Sequence, residues 1–294
     1  MTLAWLTLLA LAAQDAPRRS DWTIRGRLAP EEVVVQSHRG AGLLAPENTL
    51  EAFDLAWSLG TVPEADLRMT KDGVIVAFHD DTFARVVRNA DPALKKKGVA
   101  DLTWDELAAL DVGEGLRAAR LEPVFERMKD APARTLYLDV KKVSLPRVAE
   151  LARAAGVESR LVLASPRHAQ LREWRKLVPT AGALLWMGGT EEELLKRLEE
   201  LRSTSFAELT QLQVHVRRKP GTSLDGPDPF TLSDAFLIEL GRELRERKIV
   251  FQVLPWGGAD AAVYARLLDL GVMSFATDYP KVTMEAVRRY LAER

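Results

Sequence analysis

Residues 62–78 read Val62-Pro63-Glu64-Ala65-Asp66-Leu67-Arg68-Met69-Thr70-Lys71-Asp72-Gly73-Val74-Ile75-Val76-Ala77-Phe78. Two extended runs lie here, Val62–Asp66 (weakened as a strand by Pro63) and Val74–Phe78, separated only by Leu67–Gly73 with an Asp-Gly turn signal. A parallel crossover needs roughly a dozen residues or more, usually a helix, so the spacing predicts an antiparallel hairpin. Outward from this point, β-branched or aliphatic runs recur at 33–35, 135–140, 161–164, 182–186, 211–216, 249–254 and 272–276. Helix-like stretches alternate with them, which argues for a parallel sheet. Nine strands less the hairpin arm leave eight, the count of a (β/α)₈ TIM barrel with a small hairpin and loop insertion after the second strand.

Two helices carry start signals. Residues 48–59 open on Asn48 as cap with Glu51 in capping-box position, and Leu50, Phe53, Ala56 and Trp57 form one apolar face. Residues 190–202 open on Thr190 with Glu193 in the same relation, and Leu194, Leu195, Leu198 and Leu201 make the apolar stripe. The longest excursion between barrel strands runs from His79 to Asp139 and contains Lys95-Lys96-Lys97, read as a solvated loop.

The chain has 294 residues, 47% of them hydrophobic, enough for one barrel with a sizeable core. Its formal charge of −1 carries no footprint of a nucleic-acid binder. The absence of cysteine excludes disulfides, thiolate metal sites and cysteine nucleophiles, and with four histidines a metal would sit among oxygens. Residues 1–13 form a short apolar run ending in small residues, read as a signal peptide for export to the periplasm or exterior. Residues 14–32 read as a connector and 33–294 as the barrel domain. No later stretch reaches the roughly 18 apolar residues of a membrane span.

Barrel active sites sit at the C-terminal strand ends. Those ends offer His38 and Arg39, then Glu64 and Asp66, then His79-Asp80 on the hairpin arm, then Asp139 and Lys141. Residues two apart on a strand share a face, so Glu64 with Asp66 and Asp139 with Lys141 each project as a pair. Three carboxylates converging on one point repel unless a divalent cation or protons neutralise them, and with hard oxygen donors and no thiols the cation would be Mg²⁺ or Ca²⁺. With an Arg, a Lys and two imidazoles added, the set describes metal-assisted chemistry on a phosphate ester.

The segments His38-Arg39-Gly40, Pro46-Glu47-Asn48-Thr49, Glu64-Ala65-Asp66, Thr70-Lys71-Asp72-Gly73 and His79-Asp80 resemble the glycerophosphodiester phosphodiesterase family in order and spacing. Asp101-Leu102-Thr103, Asp139-Val140-Lys141 and Thr277-Asp278-Tyr279-Pro280 extend the likeness over most of the chain. The resemblance implies hydrolysis of a small glycerophosphodiester to glycerol 3-phosphate and an alcohol. It implies Glu64, Asp66 and Asp139 as ligands of one divalent cation, His38 and His79 as the acid–base pair, and Arg39 and Lys141 as phosphate-binding residues. Asp139 stands where the family usually has Glu. Val253-Leu254-Pro255-Trp256-Gly257-Gly258 stands where it shows Trp-Thr-Val-Asn. Trp256 is open to headgroup stacking or to packing. His168 and His215 match nothing catalytic and read as structural or surface residues. The alternatives are a lipid-directed phospholipase, of the sphingomyelinase D or phosphoinositide phospholipase C kind, and a non-catalytic binding barrel.

Overall fold

The computed structural model describes residues 18–293; the predicted signal peptide, 1–13, lies outside them. Eight parallel strands close on themselves: β1 (Val35–Ser37), β2 (Val62–Met69), β4 (Leu136–Lys142), β5 (Leu161–Ser165), β6 (Gly182–Met187), β7 (Gln211–Arg217), β8 (Val250–Trp256) and β9 (Ser274–Thr277). Each pairs with the next, and β1 pairs with both β9 and β2, which completes the barrel. The ninth, β3 (Ile75–Ala77), is antiparallel to the far end of β2, with Leu67 opposite Ala77 and Met69 opposite Ile75. The expected hairpin is therefore present. Its pairing also carries β2 past Asp66 to Met69, so Pro63 does not shorten the strand as its propensity suggested.

Alternation along the strands sorts the side chains. Leu136, Leu138, Val140, Leu212, Val214 and Val216 turn outward into the main apolar core against the helices. Their neighbours turn inward, where Tyr137, Ala164 and Leu184 plug the barrel and Gln36, Gln213, Gln252 and Ser274 form a buried polar layer. Residues 18–32 pack on the barrel too: Ile24 is fully buried in the main core, and Ser20 donates its N–H to Asp269 O.

Helix α1 (Leu50–Ser58) is capped by Thr49, whose hydroxyl accepts from Ala52 N, not by Asn48 as the sequence suggested. Asn48 is diverted to the site. The helix at Glu191–Ser203 starts with the predicted Thr190–Glu193 capping box, but Leu195 is exposed and only Leu194, Leu198 and Leu201 are buried. The excursion after β3 builds its own apolar cluster from Phe78, Phe83, Val87, Leu102, Leu107 and Val112. Lys95–Lys97 lies exposed on its rim. Among the described residues no helix is long and apolar enough to cross a membrane.

Candidate active site

The predicted residues converge at the C-terminal mouth. The parallel register sets Asp66 beside Asp139 and Glu64 beside Tyr137, so the inward pairs of β2 and β4 face one another. Glu64, Asp66 and Asp139 are buried, and one oxygen from each lies within 4.8 Å of the others. Asn48 explains part of this precision. Its Nδ2 donates to Asp66 Oδ2 at 2.9 Å, and its Oδ1 accepts from Asp66 N at 3.0 Å. Reaching both requires a left-handed backbone at Asn48, φ +58°, which Asn tolerates better than most residues.

Lys141 Nζ lies 2.6 Å from Asp139 Oδ2 and 3.1 Å from Asp66 Oδ1. Burial pushes the Glu64 carboxyl up to about 7; His38 opposes this, and the like charges of Asp66 and Asp139 add to it. Burial likewise raises Asp139 against the pull of Lys141. Asp66 is held below its usual range, because Lys141, His79 and the Asn48 hydrogen bond outweigh its burial. One ammonium among three buried carboxylates leaves an electrostatic demand for further positive charge. Asp66 Oδ1 is buried and, beyond its ion-pair contact with Lys141, accepts no hydrogen bond, so it retains a lone pair for a cation. The donor set therefore fits one hard divalent ion.

His38 follows β1, and its Nδ1–H donates to Asp278 Oδ1 at 2.7 Å, an acceptor that follows β9. His79 follows β3, and its Nδ1–H donates to Asp80 Oδ1 at 2.7 Å. A carboxylate can only accept, so both rings keep Nε2 free for chemistry. His38 Nε2 stands 4.0 Å from Glu64 Oε2. Burial opposes its imidazolium, but the Asp278 hydrogen bond and the charges of Glu64 and Asp278 outweigh burial and raise its pKa.

Arg39 adopts φ +55° and points Nη1 at Glu47, 3.3–3.4 Å away. Its Nε is buried without a partner. Glu47 also receives both Nη atoms of Arg85, at 2.6 and 2.7 Å, and Arg85 in turn binds Asp80 at 2.6 and 2.9 Å. Burial opposes ionisation of Asp80, yet Arg85 and His79 bring it down to about 2. A chain Arg39–Glu47–Arg85–Asp80–His79 thus runs across the mouth. Gly40 lets helix α1 approach: a Cβ there would sit 2.7 Å from that of Ala52.

The catalytic cavity holds about 130 Å³, and all seven predicted residues except Asp66 line it. Two further lining residues, His215 and Trp256, stand beside His38. His215, read from sequence as a bystander, stacks on Trp186 at 5.5 Å, and Trp256 meets both His38 and His215 edge-on. His168 does have a structural role, its Nε2 bonded to Ala207 O. Asp278 was visible within a recognised motif but without a partner. Its pairing with His38 spans 240 residues and has no local signal.

Residues 38–282 match the model of the glycerophosphoryl diester phosphodiesterase family. A glycerophosphodiester phosphodiesterase of Caldanaerobacter subterraneus is 33% identical over 162 residues, which is 50% of this chain and 64%, just under two thirds, of that protein. One from Bacillus subtilis is 24% identical over 289 residues, 90% of this chain and 89% of that one. A phosphodiesterase from Oleispira antarctica, solved in complex with the product sn-glycerol-3-phosphate, superposes with a TM-score of 0.60 at 22% identity, over 86% of this chain and 96% of that one.

Proposed function

The chain belongs to the glycerophosphoryl diester phosphodiesterase family and is a phosphodiesterase, and from that premise we propose that it hydrolyses small glycerophosphodiesters to glycerol 3-phosphate and an alcohol by two-histidine acid–base catalysis. One observation carries the reading. Two imidazoles, each fixed through Nδ1 by a carboxylate 2.7 Å away, border a cavity lined by Glu64 and Asp139, with Asp66 clustered beside them.

Glu64, Asp66 and Asp139 would hold one Mg²⁺ or Ca²⁺, which supplies charge stabilisation to the phosphoryl oxygens. The chain's own residues do the rest. Arg39 and Lys141 line the cavity and offer cationic donors to the phosphate. Neutral His38 takes the proton of the attacking glycerol hydroxyl at Nε2, and His79 gives the proton on its Nε2 to the leaving alkoxide. The phosphorus–oxygen bond to the alcohol breaks as the bond to the glycerol hydroxyl forms. Water then opens the cyclic phosphate with the two histidines exchanging roles. The preceding apolar run supports export of the protein, with residues 1–13 removed.

Purified protein is assayed on a panel of glycerophosphodiesters, lysophospholipids and sphingomyelin, with coupled detection of glycerol 3-phosphate. His38→Ala and His79→Ala should each lower turnover by about 10²–10⁴ with folding and metal content retained. Either variant turning over within a few-fold of the parent refutes the mechanism. Release of phosphate-free glycerol or of a ceramide phosphate as the main product refutes the substrate class.

A further inference from the structure

Strand β7 carries a polar row that the proposed reaction leaves unused. Gln211, Gln213 and His215 alternate inward at rising heights in the barrel, and Arg217 ends the row at the rim. Their hydrogen bonds form a directed chain. Ser274 Oγ donates to Val34 O at 2.8 Å, and a carbonyl can only accept. Ser274 therefore accepts from Gln252 Nε2 at 3.0 Å. Gln252 Oε1 then accepts from Gln213 Nε2 at 2.5 Å, and Gln213 presents Oε1 to His215 Nε2 at 3.1 Å. The anchored carbonyl thus fixes every link. His215 must carry its proton on Nε2, and Nδ1 is left with a lone pair.

That lone pair accepts no hydrogen bond among the described residues. It faces Gly188, the residue after β6, where a Cβ would stand 3.2 Å from it. Glycine there leaves the space open. The ring is held on one face by Trp186, stacked at 5.5 Å and 12°, and at its edge by Trp256, 5.6 Å away. Arg217 in turn lies over Trp256 at 5.5 Å. Burial, with the positive charges of His38 and Arg217, keeps the imidazole down to about 4, so it remains neutral in working conditions. A neutral, oriented acceptor inside an aromatic wall suits an uncharged hydroxyl. The ring lines the catalytic cavity on its Trp256 side, which is also the side of His38, and with Gly188 and Trp256 it lines the adjoining cleft as well.

We propose that His215 selects the glycerol arm of the substrate, its Nδ1 accepting a hydrogen bond from the terminal hydroxyl that does not attack phosphorus. This rests on the reading of the protein as a glycerophosphodiesterase with His38 as base. His38 must face the attacking hydroxyl, so glycerol lies beside Trp256 and His215, and the alcohol leaves toward His79. A site built around a buried acceptor rejects a ligand that leaves it unpaired. Trp186 and Trp256 are positioning residues for the ring.

The test compares glycerol 3-phosphate with propane-1,2-diol 1-phosphate, which lacks only the terminal hydroxyl. Binding to the metal-supplied protein is measured by calorimetry, and hydrolysis is followed on the corresponding diesters. The parent should prefer the glycerol compounds by about tenfold. His215→Phe, which keeps an aromatic ring on Trp186, should bind both phosphates equally and raise KM for the glycerol diester with kcat held. A purely structural role would lower kcat for both diesters together. His215→Gln, which restores an acceptor, should recover part of the preference. A parent that hydrolyses the glycerol diester without preferring it, or a His215→Phe variant that keeps the preference, overturns the role of His215 alone. A parent that hydrolyses no glycerophosphodiester overturns both this proposal and the functional reading beneath it.

Discussion

Replacing Asp278 tests the proposed base most directly, because one carboxylate fixes the His38 tautomer. The Nδ1–Oδ1 distance of 2.7 Å is that of a charge-assisted hydrogen bond. Such bonds contribute about 1.5–3 kcal/mol, and with His38 15% and Asp278 25% exposed, water screens the pair only modestly. At about 1.36 kcal/mol per factor of ten, Asp278→Ala should cost roughly 10- to 150-fold in kcat. Asp278→Asn should cost more, about 10²–10⁴, although it is the smaller change in shape. Its amide can donate to Nδ1, which moves the ring proton onto Nε2 and removes the lone pair that takes the hydroxyl's proton.

The pH dependence has a definite sign. Asp278 raises His38, so either variant shifts the acidic limb of the kcat profile to lower pH while the plateau falls. In stability, the raised His38 contributes below its unfolded value near 6.5 and loses that contribution as pH rises through its folded value. Depressed Asp278 contributes above 3.8 and loses its contribution as pH falls. The pair is therefore fully effective between these limits, and the variants should be most destabilised near pH 5. Steady-state kinetics from pH 5 to 9, with ¹⁵N spectra of the His38 ring, measure both effects. An Asp278→Asn enzyme within a few-fold of the parent, or one faster than Asp278→Ala, would refute the tautomer argument.

Three other outcomes are expected. Chelation should abolish activity and added Mg²⁺ or Ca²⁺ restore it, while Asp139→Asn weakens cation binding by calorimetry with an unchanged circular-dichroism spectrum; full activity after exhaustive chelation contradicts this. Arg85→Ala frees Glu47 and Asp80 together and should lower turnover about tenfold through His79. Its stability cost should stay under about 1 kcal/mol because Arg85 is half exposed, and the Asp80 share of that cost should vanish as pH falls from about 4 toward 2; a cost that persists at pH 2 removes the Asp80 contribution. N-terminal sequencing of protein from its native host should find the mature end near Gln14, and an intact Met1 in soluble cell extract rules out export.

What could be read from the sequence followed the range of each signal. Strand alternation and short spacing exposed Glu64, Asp66, Asp139 and Lys141 as paired inward residues, and seven intervening residues were enough to expose the β2–β3 hairpin. The roles of Asp278 and His215 were hidden, because each acts through partners on other staves: Thr277-Asp278 meets His38 only when β9 closes on β1. The helix cap misled for a related reason. Asn48 has the chemistry of a cap, but a buried carboxylate 18 residues away claims its amide, and Thr49 takes the vacant role. Asp139, where the resemblance leads one to expect Glu, takes a hydrogen bond from Lys141 at 2.6 Å.

The histidine proposed as general acid does not stand on a barrel stave. His79 opens the excursion, whose first part, up to Ala118, packs in an apolar cluster of its own, whereas Leu121, Val124, Phe125 and Met128 join the main core. The excursion is tied to the staves by the β2–β3 pairing, by Arg68 donating to His79 O at 2.7 and 3.1 Å, and by Phe78 N donating to Asp66 O at 2.7 Å. Such a subassembly can open as its own cooperative unit at a lower free energy than the whole domain. Catalysis and global fold then report different equilibria. Mild denaturant would withdraw His79 while the staves that carry Glu64, Asp66 and Asp139 stay closed, and activity would be lost with the barrel intact. On the proposed mechanism proton delivery is then a removable part, and the region that carries it can drift in sequence without endangering the carboxylate scaffold.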